Sequence, residues 1–209
     1  MAQTTTQIQI INRALQLLGA RPISSIQENS PGARAMNVAY QPVLLNELRQ
    51  NFWRFSIKRI MLAASATPPI FGPANYYPLP GDYLMLAPQD TNVNPNSTGP
   101  SIQGTTAPRD WQVENDGQGG LALVTNDPAP LRVRYVSSAV TEALFDVSFA
   151  EAFAGSLAMN TCEQLTQSNS KIATAQKFYE TVMQQAQKRN CFEIPPMAPP
   201  IDSYILVRF

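Results

Sequence analysis

Near the start of the chain, Ile8, Ile11, Leu15 and Leu18 recur at helical spacing, with Ala14 beside them. A Thr5 or Thr6 hydroxyl can accept a free N–H of the first turn, and Gly19 can end the helix in the left-handed conformation. Residues 21–26 read as a short extended link. Ser30-Pro31 then supply an N-cap and a first helical position, and Ala33, Met36, Tyr40, Val43 or Leu44, and Leu48 form one apolar face. Pro42 falls inside that pattern. It lacks the N–H that the helical ladder needs, which predicts a kink near Ala39.

The period then changes. Over residues 52–62 large apolar side chains alternate with cations, the pattern of a strand. Residues 67–80 are proline-rich and predict irregular backbone. A Pro80-Gly81-Asp82 turn leads into a second strand at residues 83–86, and residues 88–109 read as a long polar loop. Residues 111–114 and 121–125 read as two strands joined by the turn at 115–120, and residues 131–136 as one more. Residues 52–138 are thus expected to form a β region of about four to six strands.

Helical spacing returns at residue 148. Ser148-Phe149-Ala150-Glu151 has the form of a capping box, and Ala152, Phe153, Ser156, Leu157, Met159, Asn160 and Leu165 follow. Ser168-Asn169-Ser170 breaks this helix. A fourth runs from 171 to about 190 with Ile172, Ala175, Phe178 or Tyr179, Val182 and Ala186 on one face. Residues 194–200 contain four prolines, a stiff spacer of about 3 Å per residue. Residues 201–209 are short and strongly apolar. No internal repeat is present. The expected fold is α+β: a four-helix bundle (1–51 and 139–193) with an inserted antiparallel β domain (52–138) and an extended C-terminal tail (194–209).

Composition sharpens this picture. Of 209 residues only 14% are charged, with 15 basic and 15 acidic side chains, and 18 are proline. Ordinary soluble proteins carry roughly 25% charged residues and ~5% proline. So little charge on so large a surface predicts that much of it faces other protein. There is no histidine, hence no Ser-His-Asp or Cys-His nucleophile system and no imidazole metal ligand. Cys162 and Cys191 are too few for a zinc site or a disulfide framework, and reduced thiols are expected. Zero net charge argues against a general nucleic-acid binder. No apolar run reaches the ~20 residues that span a bilayer, so no membrane partner is expected. The N-terminal Met-Ala-Gln-Thr-Thr-Thr lacks the pattern of a signal peptide.

Candidate chemistry is sparse. Asp110 with Glu114 or Asp116 could pair as an acid and a base, but these residues fall in turns between strands. Gly117-Gln118-Gly119-Gly120 precedes a strand rather than a helix, so it reads as a hairpin turn and not a phosphate loop. Arg49, Arg54, Lys58 and Arg59 interleave with Phe52, Trp53 and Phe55. Such a cluster is either a DNA-facing patch, a subunit contact, or a strand with aromatics inward and cations outward. Trp111, Tyr76, Tyr77 and Tyr83 form a candidate sugar-binding platform, the basis of an alternative reading as a carbohydrate or surface-ligand module. A glycosidase would need two carboxylates flanking a cleft, and none is evident. The apolar tail, with Ile201, Tyr204, Ile205, Leu206, Val207 and Phe209, is an aggregation hazard if loose, and its proline spacer favours docking on another chain.

Several stretches together carry a family resemblance: Asn12-Arg13-Ala14-Leu15, Leu18-Gly19, Arg21-Pro22-Ile23-Ser24-Ser25-Ile26, Ala33-Arg34, Tyr40, Leu48-Arg49 and Trp53-Arg54-Phe55-Ser56-Ile57-Lys58-Arg59. Tyr77-Pro78-Leu79-Pro80-Gly81-Asp82-Tyr83-Leu84 and the return from residues 131–140 to Phe149 and Leu157-Ala158 continue it. In this order they resemble the tail tubular A, or head-to-tail adaptor, proteins of short-tailed bacteriophages. Asn51-Phe52 stands where that family has a proline before the tryptophan. The resemblance implies a helical bundle with an inserted β domain. It implies a structural virion protein at the head-tail junction, assembled in the host cytoplasm, with no enzymatic activity and no cofactor. The implied partners are other copies of the chain in a dodecameric ring, the portal protein, the nozzle (tail tubular B-like) protein, a tail fibre or tailspike, and transient DNA in the lumen. Portal docking is then expected at Ile201, Tyr204, Ile205, Leu206, Val207 and Phe209.

Overall fold

The computed structural model describes residues 6–87, 111–117 and 119–192. Within them the chain is α+β, with four helices and two small antiparallel sheets. The expected loop at 88–109 and tail at 194–209 lie outside the described residues.

Helix α1 (Gln7–Leu18) starts where the Thr6 side chain accepts the Gln9 N–H and the Gln9 side chain accepts the Thr6 N–H in return. Gly19, at φ 66°, ends it. The buried face is Ile10, Ile11, Ala14, Leu15 and Leu18, so Ile10 rather than Ile8 completes the stripe. Asn12 then ties down the following link, because its amide accepts the Ile23 N–H (2.8 Å) and donates to the Ile23 carbonyl (2.9 Å). Helix α2 (Pro31–Gln50) begins at the Ser30 cap and carries Pro42 inside an unbroken helical run.

The expected strand at 52–62 is wrong over its first half. Trp53 and Ser56 are both buried, a spacing of three that suits a tight turn and not a pleat. The N–H and hydroxyl of Ser56 both donate to the Trp53 carbonyl, closing a 3-10 helix at Arg54–Ser56. Only then does β1 (Ile57–Leu62) start. The irregular 67–80 stretch also hides a strand, β2 (Asn75–Pro78). Strands β3 (Tyr83–Leu86), β4 (Trp111–Asn115), β5 (Leu121–Thr125) and β6 (Leu131–Ser137) fall close to expectation. One sheet has the order β1-β6-β3 and the other β2-β5-β4.

Helix α3 (Val147–Thr166) is capped by Asp146, whose carboxylate accepts the Ser148 N–H, so the Ser148–Glu151 capping box does not form. Ser148 instead accepts a hydrogen bond from Arg189, and Glu151 pairs with Arg13 at 3.0 Å. Helix α3 is buried almost all round because it packs against α1, α2 and the last helix, α4 (Asn169–Phe192). Gly155 sets the closeness of α3 to α4. A Cβ there would lie 3.1 Å from the Phe178 ring and 3.3 Å from the Tyr179 backbone.

Two apolar cores result. The larger joins Leu15, Met36, Leu48, Trp53, Phe149, Phe153 and Leu157, and takes in Val136 with partly buried Ile57, Leu84 and Met85 from the first sheet. The smaller lies between the sheets around Leu62, Tyr77, Leu123, Leu131 and Val133. Strands β1 and β6 therefore contribute at one end to the helical core and at the other to the β core.

Candidate functional site

The four cations that cluster in the sequence do not form one surface. Arg49 is exposed on the last turn of α2, with its charge acting on the Tyr83 hydroxyl. Arg54 sits in the 3-10 helix, where its N–H donates to the Asn190 amide (3.1 Å) and its Nε is buried without a hydrogen-bond partner among the described residues. Lys58 and Arg59 are neighbours on a strand, so the pleat sends them to opposite faces.

Lys58 is committed to Asp82, with Nζ 2.7 Å from the carboxylate. Asp82 is the fixed point of the first sheet. It also accepts the hydroxyls of Ser137 (2.6 Å) and Tyr135 (3.0 Å), and its carbonyl accepts the Ser138 N–H (2.7 Å). Hydrogen bonds from Lys58 and Ser137 hold the Asp82 carboxyl down at about 2. Burial, the nearby Asp82 charge and the hydrogen bond to it push the Tyr135 hydroxyl up to about 12.

Arg59 lies opposite Arg134 on β6, and Met61 lies opposite Arg132. Cross-strand partners share a face, so three arginines crowd one face of the β1/β6 ladder. None of the three is a free cation. Arg132 and Arg134 were missing from the sequence-level cluster because they come from the far end of the β region. The signal that could have found them is the alternation Leu131, Val133, Tyr135 against Arg132, Arg134.

The aromatic platform also dissolves. Tyr77 opposes Leu123 and Trp111 opposes Thr125, which puts both on the inner face of the second sheet. Tyr76 opposes Val124 and points the other way, while Tyr83 belongs to the first sheet, its ring tilted against that of Tyr135. Tyr77 is fully buried, and its hydroxyl donates to the Asp127 carbonyl (2.7 Å). These rings are mainly core or sheet-packing residues. The glycine turn closes the β4–β5 hairpin as expected, with Gly117 and Gly119 at positive φ and the Gly120 N–H donated to Asp116.

A shallow groove along α1 is lined by Gln9, Asn12, Arg13, Gln16, Ala20 and Pro22. Its one guanidinium, Arg13, is paired with Glu151 and lies 5.7 Å from the Phe178 ring. The groove is therefore lined by amides and a neutralised charge, with no nucleophile. Asn12→Ala should cost about 2 kcal/mol, since it leaves the Ile23 N–H and carbonyl without their partner. It should also release the protection of the Ile23 amide, measured by hydrogen exchange.

Among the described residues no group of three or more acidic or cysteine side chains is placed to hold a metal ion, and no helix is long and apolar enough to cross a membrane. Cys162 is buried and Cys191 exposed, both free. The docking residues Ile201, Tyr204, Ile205, Leu206, Val207 and Phe209 lie outside the described residues. Comparison with models of known protein families and with curated protein sequences found no match to this chain.

Proposed function

We propose that this chain is a structural adaptor of a short-tailed bacteriophage, one subunit of a ring that joins the portal to the tail nozzle and lets DNA pass through its lumen. In this reading the four helices form the bundle that packs side by side around the ring, and residues 52–138 form the inserted β domain. One observation carries it: a surface with little charge exposes large apolar side chains in several places. Among them are Val38 on α2, Met61 on β1, Ile70 and Phe71 between β1 and β2, Leu144 and Val147 at the approach to α3, and Phe192 at the end of α4. Single exposed apolar side chains are ordinary, but the adjacent Ile70 and Phe71, 99% and 88% exposed, form the pair that a neighbouring subunit would cover in such a ring.

The residues that carry the family resemblance also support a scaffold over a catalyst. Asn12 fixes the link, Arg13 pairs with α3, Trp53 fills the core and Asp82 pins the first sheet. Each holds elements together and none lines a cleft with a free reactive group. Arg59 and Arg132, exposed on one face of β1 and β6 beside the buried Arg134, are candidates for contact with DNA or with a neighbouring subunit.

The test is assembly on the portal. Negative-stain images of the chain mixed with portal should show rings, and deletion of residues 201–209 should abolish attachment. That deletion should leave unfolding free energy within about 0.5 kcal/mol of the full chain. A full-length chain that gains no order with portal would overturn the adaptor reading. A deletion that unfolds the protein would place the tail in the core instead.

A further inference from the structure

Among the described residues Glu47 is the one buried carboxylate, 1% exposed, at the junction of α2, α3 and α4. From α4, the Tyr179 hydroxyl donates to both of its oxygens, at 3.0 and 3.2 Å. From α3, the buried Ser156 hydroxyl bonds to it. From the 3-10 link, Trp53 donates its indole N–H to the Glu47 backbone carbonyl (3.0 Å). The donors that the described residues bring to its side-chain oxygens are thus hydroxyls, and no cation is paired with it.

That choice of partners matters. An arginine would hold the group charged and an amide partner would fix one donor pattern. As donors, Tyr179 and Ser156 favour the carboxylate, but burial outweighs them, and a hydroxyl can turn to accept from the carboxylic acid when the group is protonated. Charge in this place is costly, because hydroxyls alone replace water poorly around an ion in an apolar core.

Of the four helices, α4 buries the fewest residues. Of its 24 residues only Ala175, Met183 and Ala186 are buried. Polar ties supply much of the rest: Lys171 to the Leu18 carbonyl, Tyr179 to Glu47, Gln187 to Asn51, Arg189 to Ser148, and Asn190 to Phe52 and Arg54. A helix fastened this way can open as a unit while α1, α2 and α3 stay packed.

We propose that Glu47 is a proton-operated latch on α4: the protonated carboxyl closes the three-helix junction, and its ionisation loosens α4. The direction follows from the linkage. Burial raises the Glu47 carboxyl above its ordinary 4.5. A group raised in the closed state contributes closure that is complete below its ordinary value and is lost as pH rises through its raised value. Acid therefore tightens α4, and a rise in pH through the raised value frees it.

Hydrogen exchange of the α4 amides in the full chain, from about pH 5 to about pH 8, tests this. After correction for intrinsic exchange, the opening constant of α4 should rise with pH by up to about tenfold per unit, the slope of one proton. In Glu47→Gln, whose amide keeps an acceptor for Tyr179, it should be flat and stay near the acid value of the parent. Parallel profiles in the two proteins would overturn the proposal. So would a Glu47 side-chain carbon signal that titrates at the ordinary glutamate value in the unmodified chain, a measurement that does not depend on the variant folding.

Discussion

Trp53→Ala should be among the most damaging single substitutions in the helical core, at roughly 3–5 kcal/mol. Trp53 is 1% exposed and stands where the helices meet the first sheet. Its ring makes an edge contact with Phe149 (4.8 Å between centroids) and stacks on Phe55 (6.1 Å). Phe149 in turn packs against Phe145 and Phe153, so removing the indole opens a cavity in a continuous aromatic cluster. The indole N–H also satisfies the Glu47 carbonyl in the last turn of α2, where no further helical turn can do so. Against a total stability of about 5–15 kcal/mol, the loss is a large share. Trp53→Phe separates the two contributions: the ring remains, the hydrogen bond is lost, and about 1–2 kcal/mol should go. Urea unfolding of the three proteins checks both values. An alanine variant within about 1 kcal/mol of the parent would mean that Trp53 is not the joint between helices and sheet.

Helix ends were legible because they are set by local chemistry. Thr6, Gly19, Ser30 and Pro31 act within one turn of themselves, and each stands where the sequence put it. At Ser148 the same logic failed through competition. Asp146, two residues earlier, accepts the Ser148 N–H and so starts the helix before Ser148, and the Ser148 hydroxyl is taken by Arg189 from α4. Only the tertiary fold supplies that second partner. The 52–56 stretch failed for a related reason. Its alternation of aromatics and cations imitates a pleat, yet Trp53 and Ser56 face the same core at a spacing of three. The Tyr76–Tyr77 strand was hidden by the prolines around it.

The candidate site was less legible than the fold, since it depends on register. Arg59 meets Arg134 and Lys58 meets Asp82 because β1 pairs with β6 and the turn before β3 folds onto them. No spacing along the chain encodes those meetings. Glu47 was missed because it sits one position before Leu48 in an apolar stripe, where a charged residue reads as the exposed neighbour of a core residue. Tyr179, one of the two alternatives for its position on α4, was the signal, as a buried tyrosine hydroxyl needs an acceptor.

Asp82→Ala should cost roughly 3 kcal/mol, and the loss should concentrate in the first sheet. Ser137 and Tyr135 are buried, at 0% and 4% exposure, so the alanine strands two hydroxyls where water reaches them poorly. The Lys58 ion pair itself contributes little, because its side chain is 48% exposed, and Lys58→Met should lose less than about 1 kcal/mol. Strand β3 has the most to lose. It is four residues long, and its pairing with β6 shifts between Tyr83 and Met85, so Asp82 anchors a register that the ladder alone holds weakly. The acid dependence has a fixed sign. The carboxyl is lowered from its ordinary 3.8 to about 2, so its contribution is complete above the ordinary value and is lost as pH falls through about 2. A shift of that size corresponds to at most about 2 kcal/mol, and the 22% exposure of the Asp82 side chain reduces it further. Chemical denaturation between about pH 5 and about pH 2 should therefore show the parent losing stability that Asp82→Asn, already weaker at the upper end, no longer has to lose. Two curves that fall in parallel would mean that the hydroxyls and Lys58 hold the turn without help from the carboxylate charge.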